Sequence, residues 1–182
     1  MPSLQRHFLN SLKNDYTKFS SFIETGTLEG GTIFAMEPYF DKLYTVEYSE
    51  KYHNIAKNRY NGNKIDFRLG DSSIVFETLL PTIRAPAIFF LDGHWSSGDT
   101  GKSAKDCPLI EEVTHIRNLF TPNAILIIDD CRMFGTKYAE DWSEISESGI
   151  LKILEPRIEQ YYYLDSDSAQ NDRLVIHLRN LC

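Results

Sequence analysis

Cysteine is scarce and unpatterned in this chain: Cys107, Cys131 and Cys182 are odd in number, widely spaced and include no C-x-x-C pair. That argues against a disulfide framework and against structural zinc, and it suits a reducing, cytoplasmic compartment. Long apolar runs are missing too. No stretch approaches the roughly 20 residues that span a bilayer, and Arg6, His7 and Lys13 interrupt the apolar positions of the N-terminus. Neither a signal peptide nor a membrane anchor is expected. Positive charge is in deficit, with 19 Lys and Arg against 26 Asp and Glu, a net charge of −7, and the basic residues are scattered. A polyanion would be repelled, so nucleic acid is not an expected partner. Repeats and low-complexity linkers are also absent. With 182 residues, 42% of them hydrophobic, the chain can bury one real core, and one domain over 1–182 is expected. Leu4, Phe8, Leu9 and Leu12 give residues 1–20 a near-helical spacing, so this segment is expected to pack as a helix across one end of the fold.

What is present is a pair of apolar runs that end abruptly in carboxylates. Phe89-Phe-Leu-Asp-Gly-His94 is answered by Ile125-Leu-Ile-Ile-Asp-Asp130. Runs of this kind read as central strands of a parallel sheet buried on both faces, and the open crevice of that architecture lies at the strands' carboxyl ends. Asp92, His94, Asp129 and Asp130 are therefore expected to meet there. Carboxylates drawn together repel unless one is protonated or a cation sits among them, which points to an all-oxygen metal site with a histidine beside it. One geometric condition applies. Neighbouring strand residues face opposite ways, so Asp129 and Asp130 can serve one ion only if the chain turns at the strand's end.

A second signal lies upstream, in Ser21-Phe-Ile-Glu-Thr-Gly-Thr-Leu-Glu-Gly-Gly-Thr32, a strand running into a glycine-rich turn and then a helix with Ile33, Phe34 and Met36. Leu28 stands where a dinucleotide fingerprint needs its second glycine. The spacing is acidic-x-Gly-x-x-x-Gly, on Glu24, Gly26 and Gly30, with Thr25 and Thr27 between. A carboxylate at the strand's end suits an ammonium better than a phosphate, and S-adenosylmethionine carries an ammonium and no phosphate. The next strand, Lys42 to Tyr48, ends in Glu47, where an acid can accept from both ribose hydroxyls. The strand after it delivers Gly70, Asp71 and Ser72 to the same edge, where an acid can accept from an adenine amino group. Asp92 completes the expected cofactor-binding set.

In order and spacing the chain resembles the class I S-adenosylmethionine-dependent methyltransferases, and more narrowly the metal-dependent sugar O-methyltransferases of the macrocin O-methyltransferase type, from about Phe22 to Arg132. The resemblance implies that Asp92, Asp129 and Asp130 are the metal ligands. It implies a base two residues after the first aspartate, often another aspartate; here that residue is His94, with Asp92 beside it in the catalytic pair. It also implies a closing antiparallel strand pair, for which Tyr161–Leu164 and Arg173–Leu178 are the candidates.

The elements alternate from Phe22 to Asp130. Ser49 is expected to cap a helix through Tyr60 that Asn61-Gly62 ends in a left-handed C-cap; Asp71 or Ser72 caps the next, to Pro81. A third starts near Asp106 and runs Leu109, Val113, Ile116 and Phe120, and a weaker one covers Tyr138 to Ile153. The fold expected is α/β: a doubly wound, mostly parallel seven-stranded sheet with helices on both faces and a C-terminal antiparallel pair, Rossmann-like. Gly101-Lys102-Ser103 imitates the end of a P-loop, but Ser96 stands where its first glycine is needed.

The reaction expected is methyl transfer from S-adenosylmethionine to a hydroxyl of a sugar, glycan or other small molecule, with a divalent cation, magnesium or manganese, holding the acceptor oxygens. His94 serves as base, its ordinary pKa of about 6.5 suiting the task; as a ligand instead it would favour zinc or iron. Trp95, in a loop to Lys105 able to cover substrate, is the candidate for stacking on a sugar face, with Tyr138 or Trp142 as walls. The alternatives are a catechol-like phenol acceptor, or a cofactor-binding module without catalysis attached to a glycosyltransferase system. Self-association into a homo-oligomer is left open.

Overall fold

The computed structural model describes residues 3–94, 107–138 and 140–181. Seven strands form one sheet: β1 (Ser21–Thr25), β2 (Lys42–Glu47), β3 (Ile65–Leu69), β4 (Ala87–Leu91), β5 (Ala124–Ile128), β6 (Ile158–Leu164) and β7 (Arg173–Leu178). Their order is β3-β2-β1-β4-β5-β7-β6, with the first five parallel and β7 antiparallel to both neighbours. The strand order reverses between β1 and β4, so the crevice expected of such sheets opens at the carboxyl ends of these two strands.

The central strands are apolar on both sides because both sides are covered. Phe89 and Leu91 of β4 with Leu126 and Ile128 of β5 face one core, and Ile88, Phe90, Ile125 and Ile127 face the other. The first core is closed by α4 (Ser72–Leu79), α5 (Leu109–Leu119) and α6 (Glu147–Leu154). The second is closed by α1 (Arg6–Ser11) and α2 (Gly31–Met36), while α3 (Glu50–Arg59) lies against β2 and β3. Leu4, Phe8, Leu9 and Leu12 are all buried there, as their spacing suggests. Among the described residues no helix is long and apolar enough to cross a membrane.

Three local expectations need correction. The segment after β5 is helical only over Glu147–Leu154: Ser146 accepts from the Gly149 amide and starts the helix there, while Trp142 and Ile145 turn into the core ahead of it. The end of α3 is not a left-handed cap at Asn61-Gly62. Tyr60 leaves the helix extended, and its hydroxyl folds back to accept from the Lys64 amide. Ser49 occupies the N-cap position of α3 without a side-chain bond to it, whereas Asp71 does cap α4 by accepting from the Ser73 amide. The start of α5 near Asp106 lies outside the described residues; the helix itself begins at Leu109 behind Pro108.

One buried charge ties the sheet's far end together. Arg157 is 1% exposed and donates to four carbonyls, those of Ile116, Phe120 and Pro122 at the end of α5 and that of Arg179 after β7.

Candidate active site

The glycine-rich turn after β1 is built on left-handed backbone at Gly26, Leu28 and Gly30, with φ of +84°, +46° and +83°. The Leu28 amide donates to Glu47 Oε2 and the Ser49 amide to Glu47 Oε1, so the acid that ends β2 holds both loops while each oxygen keeps a free lone pair. Glu24 lies under this turn at 1% exposure, at the end of a chain in which the Thr27 and Thr45 hydroxyls are 2.6 Å apart and Thr45 donates to Glu24 at 2.8 Å. Burial holds the Glu24 carboxyl well above the usual range; the Thr45 hydroxyl opposes this, and the charges of Asp92 and Glu47 add to it. A cation arriving beside Glu24 would relieve that strain. Thr25 is also fully buried, and Gly70 donates its amide to the Glu47 carbonyl. Asp71 accepts from the amide and hydroxyl of Ser73 as a helix cap. The Ser72 hydroxyl is spent on Glu112 at 2.5 Å.

Exposed apolar side chains collect around this cradle. Leu28 and Tyr48 belong to the turns after β1 and β2, Leu69 ends β3 and Ile74 lies at the start of α4, and each is large and solvent-facing. A flat apolar ligand at that edge would cover surface that water now wets.

The carboxylate cluster sits at the ends of β4 and β5. The strand β5 stops at Ile128, and Asp130 takes a left-handed conformation with φ of +58°, which is the turn that two neighbouring aspartates require if both are to face inward. The close set is nevertheless Asp92, His94 and Asp130, whose ligand atoms lie within 4.8 Å of one another. Asp129, expected with Asp92 and Asp130 around one ion, has a guanidinium neighbour: Arg173, which opens the neighbouring strand β7, donates through Nε to its Oδ1 at 3.1 Å. A second close group, Asp129, Asp130 and Asp172, is neutralised by guanidinium, since Arg132 pairs with Asp172 and with Asp130.

His94 is the centre of the cluster. Its Nε2 lies 2.8 Å from Asp130 Oδ2 and 3.4 Å from Asp92 Oδ1, and its Nδ1 lies 2.9 Å from Glu140 Oε2. Burial alone would lower the imidazole pKa, but the hydrogen bonds and charges of Asp130 and Asp92 outweigh it and push it up to about 11. Asp92 is raised by burial, partly opposed by His94, and Asp130 falls below its usual value because His94 and Arg132 outweigh its burial. Burial and the charge of Asp92 push Asp129 up to about 6 against the pull of Arg173. The imidazolium thus supplies the positive charge that three converging carboxylates demand, which is also the charge a divalent cation would bring.

Glu112, Glu140, Arg132 and Arg173 are partners that sequence reasoning missed. Glu112 had a signal: it lies three residues after Leu109 and four before Ile116, on the apolar stripe of α5, where it is 1% exposed and burial drives its carboxyl up to about 7 despite the Ser72 hydroxyl. With Asp92, His94, Asp129 and Trp142 it lines a small cavity behind the cluster. Of the expected substrate walls, Tyr138 is 81% exposed, whereas Trp142 is 2% exposed and set edge-on to His94 with centroids 5.1 Å apart, so Trp142 supports the histidine instead of facing a sugar. Trp95 and the loop to Lys105, including Gly101-Lys102-Ser103, lie outside the described residues.

No protein-family model and no curated protein matches the chain. Solved structures match it in fold. The O-methyltransferase TomG from Streptomyces achromogenes, solved in complex with S-adenosylmethionine, aligns with a TM-score of 0.63 at 15% identity, over 91% of this chain and 75% of that one. The N-methyltransferase NodS from Bradyrhizobium japonicum gives 0.58 at 15% identity, over 89% and 86%. The PH0226 protein from Pyrococcus horikoshii gives 0.61 at 15% identity, over 98% and 88%. The chain therefore has the Rossmann-like fold of class I methyltransferases, including the antiparallel β7 between β5 and β6. Both O- and N-methyltransferases are among these neighbours, so the shared fold by itself assigns no substrate.

Proposed function

We propose that this chain is an S-adenosylmethionine-dependent O-methyltransferase that acts on a hydroxyl of a sugar or glycan with the help of a divalent cation, magnesium or manganese. The observation that carries the reading is one of placement: the Glu24–Glu47 cradle and the Asp92–His94–Asp130 cluster occupy the ends of adjacent parallel strands, and Gly26 of the first packs directly on the Asp92 backbone of the second. The sugar acceptor rests on the sequence resemblance.

S-adenosylmethionine supplies a methyl carbon made electrophilic by its sulfonium. Glu24 and Gly26 would receive its amino-acid end, and Glu47 would accept from the ribose hydroxyls. The exposed Tyr48, Leu69 and Ile74 would flank the base. A divalent cation supplies charge that lowers the pKa of an acceptor hydroxyl. Asp92 and Asp130 would hold it, with Asp129 behind them on Arg173. His94 lies against those carboxylates in the present arrangement; with an ion held by Asp92 and Asp130, its Nε2 would be the nitrogen placed to take the acceptor's proton. The strand ends would align acceptor and donor, so that much of the rate gain would be positional.

The test combines calorimetry with S-adenosylhomocysteine and a mass-based screen of sugar and phenol acceptors, each with magnesium, with manganese and with excess chelator. Cofactor binding without metal, and methyl transfer that stops on chelation, are the expected results. Full transfer in chelator would remove the ion from the mechanism, transfer to phenols alone would move the acceptor class, and tighter binding of NAD would overturn the cofactor.

A further inference from the structure

The segment between β5 and α6 folds back on itself and carries an acid to the rear of His94. The Gly135 amide donates to the Trp142 carbonyl, the Trp142 amide to the Thr136 carbonyl and the Tyr138 amide to the Glu140 carbonyl, and Lys137 and Asp141 form an antiparallel bridge. This tight reversal places Glu140 and Trp142 together against the imidazole. Glu140 Oε2 then accepts twice, from His94 Nδ1 at 2.9 Å and from the Trp142 indole N–H at 3.0 Å. The ring of Trp142, buried in the main core, stands edge-on to His94 and fixes the plane of the imidazole.

Resting on the reading of His94 as the base, we propose that Glu140 is its positioning residue: it accepts a fixed hydrogen bond from Nδ1–H, so that Nε2 is the nitrogen that works on the acceptor. The two nitrogens are not equivalent here. Nδ1 points to a carboxylate that already serves a buried tryptophan, while Nε2 points to Asp130 and Asp92, where the acceptor oxygen and the ion would sit. A carboxylate behind a working imidazole holds the ring in the right tautomer and stabilises the imidazolium formed when it takes a proton. Proton balance is simple: the acceptor O–H bond breaks, its proton moves to Nε2 and its oxygen keeps the electron pair, while the Nδ1–H bond stays intact. The side-chain hydrogen bonds described for Glu140 go to His94 and Trp142, so its proposed effect on the reaction runs through the imidazole it holds.

The experiment uses the full chain with magnesium and compares wild type, Glu140→Gln and Glu140→Ala. Proton and nitrogen NMR of the imidazole should show a hydrogen-bonded Nδ1–H for His94 that moves upfield in Glu140→Gln and is lost in Glu140→Ala. Turnover should fall by at least roughly 10- to 100-fold in Glu140→Ala, the range for outer partners that orient metal-site side chains, with a smaller loss in Glu140→Gln, which keeps an acceptor oxygen. The Kd for S-adenosylhomocysteine should stay at the wild-type value in both. An unchanged Nδ1–H signal in Glu140→Ala, or a proton on Nε2 alone, overturns the proposal. So does a loss of turnover matched by loss of cofactor affinity, which would mark Glu140 as merely structural. If wild type transfers no methyl group, the functional reading fails, and the imidazole spectrum still decides the role of Glu140.

Discussion

Replacing Gly26 by alanine tests the contact on which the whole site depends. Gly26 has φ of +84°, and a Cβ there would lie 2.4 Å from the Asp92 carbonyl oxygen and 3.0 Å from its carbon. Carbon contacts normally sit at about 3.5 to 4.0 Å, so the turns after β1 and β4 would have to part by on the order of 1 Å. Two costs combine. Left-handed backbone costs an alanine roughly 1 to 2 kcal/mol, and overpacking against main chain, which cannot swing aside, adds about 1 to 3 kcal/mol. Gly135→Ala separates them: its φ is +72°, but nothing among the described residues lies within 4 Å of the new methyl group, so only the backbone cost of about 1 to 2 kcal/mol applies. Urea unfolding of both variants in metal-free buffer, read as midpoint shifts at constant slope, gives the difference. Gly26→Ala should lose more stability than Gly135→Ala by about 1 to 3 kcal/mol. It should also bind manganese more weakly, since the backbone pushed aside is that of Asp92. Equal losses in the two variants would refute the claim that the cofactor turn and the acidic cluster are in hard contact.

Two further outcomes follow from buried charges. Arg173→Met leaves Asp129 buried without its partner, which should cost about 3 to 5 kcal/mol near neutral pH. Asp129 already titrates near 6, above its unfolded value, so any stability tied to its protonated form is complete below about pH 4 and is lost as pH rises through 6; the variant should therefore be hurt less at pH 5 than at pH 8, and equal urea midpoint shifts at both would sink the argument. His177 is buried with Nδ1 unpartnered, and burial, with the charge of Lys13 adding to it, lowers its pKa to about 4. Its depressed value means a contribution present above about 6.5 and lost as pH falls through 4, worth at most about 3 kcal/mol; His177→Leu should flatten the fall in melting temperature over that window, and an unaltered acid limb would rule it out.

The fold was legible because its central strands are buried on both faces and end in polar residues: the carboxyl ends of β4 and β5 could be set from Phe89–Asp92 and Ile125–Asp130, while the strands themselves start earlier, at Ala87 and Ala124. The glycine turn was legible for a similar reason, since left-handed backbone leaves a mark in residue type. Leu28 is the exception, a leucine at φ of +46° whose amide is held by Glu47, and no local rule flags it. The partners of the cluster were not legible. Arg173 reaches Asp129 only because β7 runs antiparallel to β5, and Glu140 reaches His94 through a reversal that its own segment, rich in acids and without glycine between Tyr138 and Ser148, does not announce. Helical periodicity over Tyr138–Ile145 lost to the burial of Trp142 and Ile145 and to the serine cap at Ser146.

Arg157 bears on the order in which such a chain can assemble. Among the described residues its guanidinium pairs with no carboxylate, only with carbonyls, and these come from the end of α5, from the turn before β5 and from the residue after β7. Taking that charge out of water is unfavourable until all of them have arrived, for each missing acceptor leaves an unmet donor in a dry interior. An intermediate with the parallel strands paired and the last two strands loose would keep Arg157 in water and leave the carbonyls at the end of α5 without it. The chain therefore has no comfortable resting point one hairpin short of completion, and the antiparallel pair that ends the sheet is expected to dock cooperatively with the rest of it.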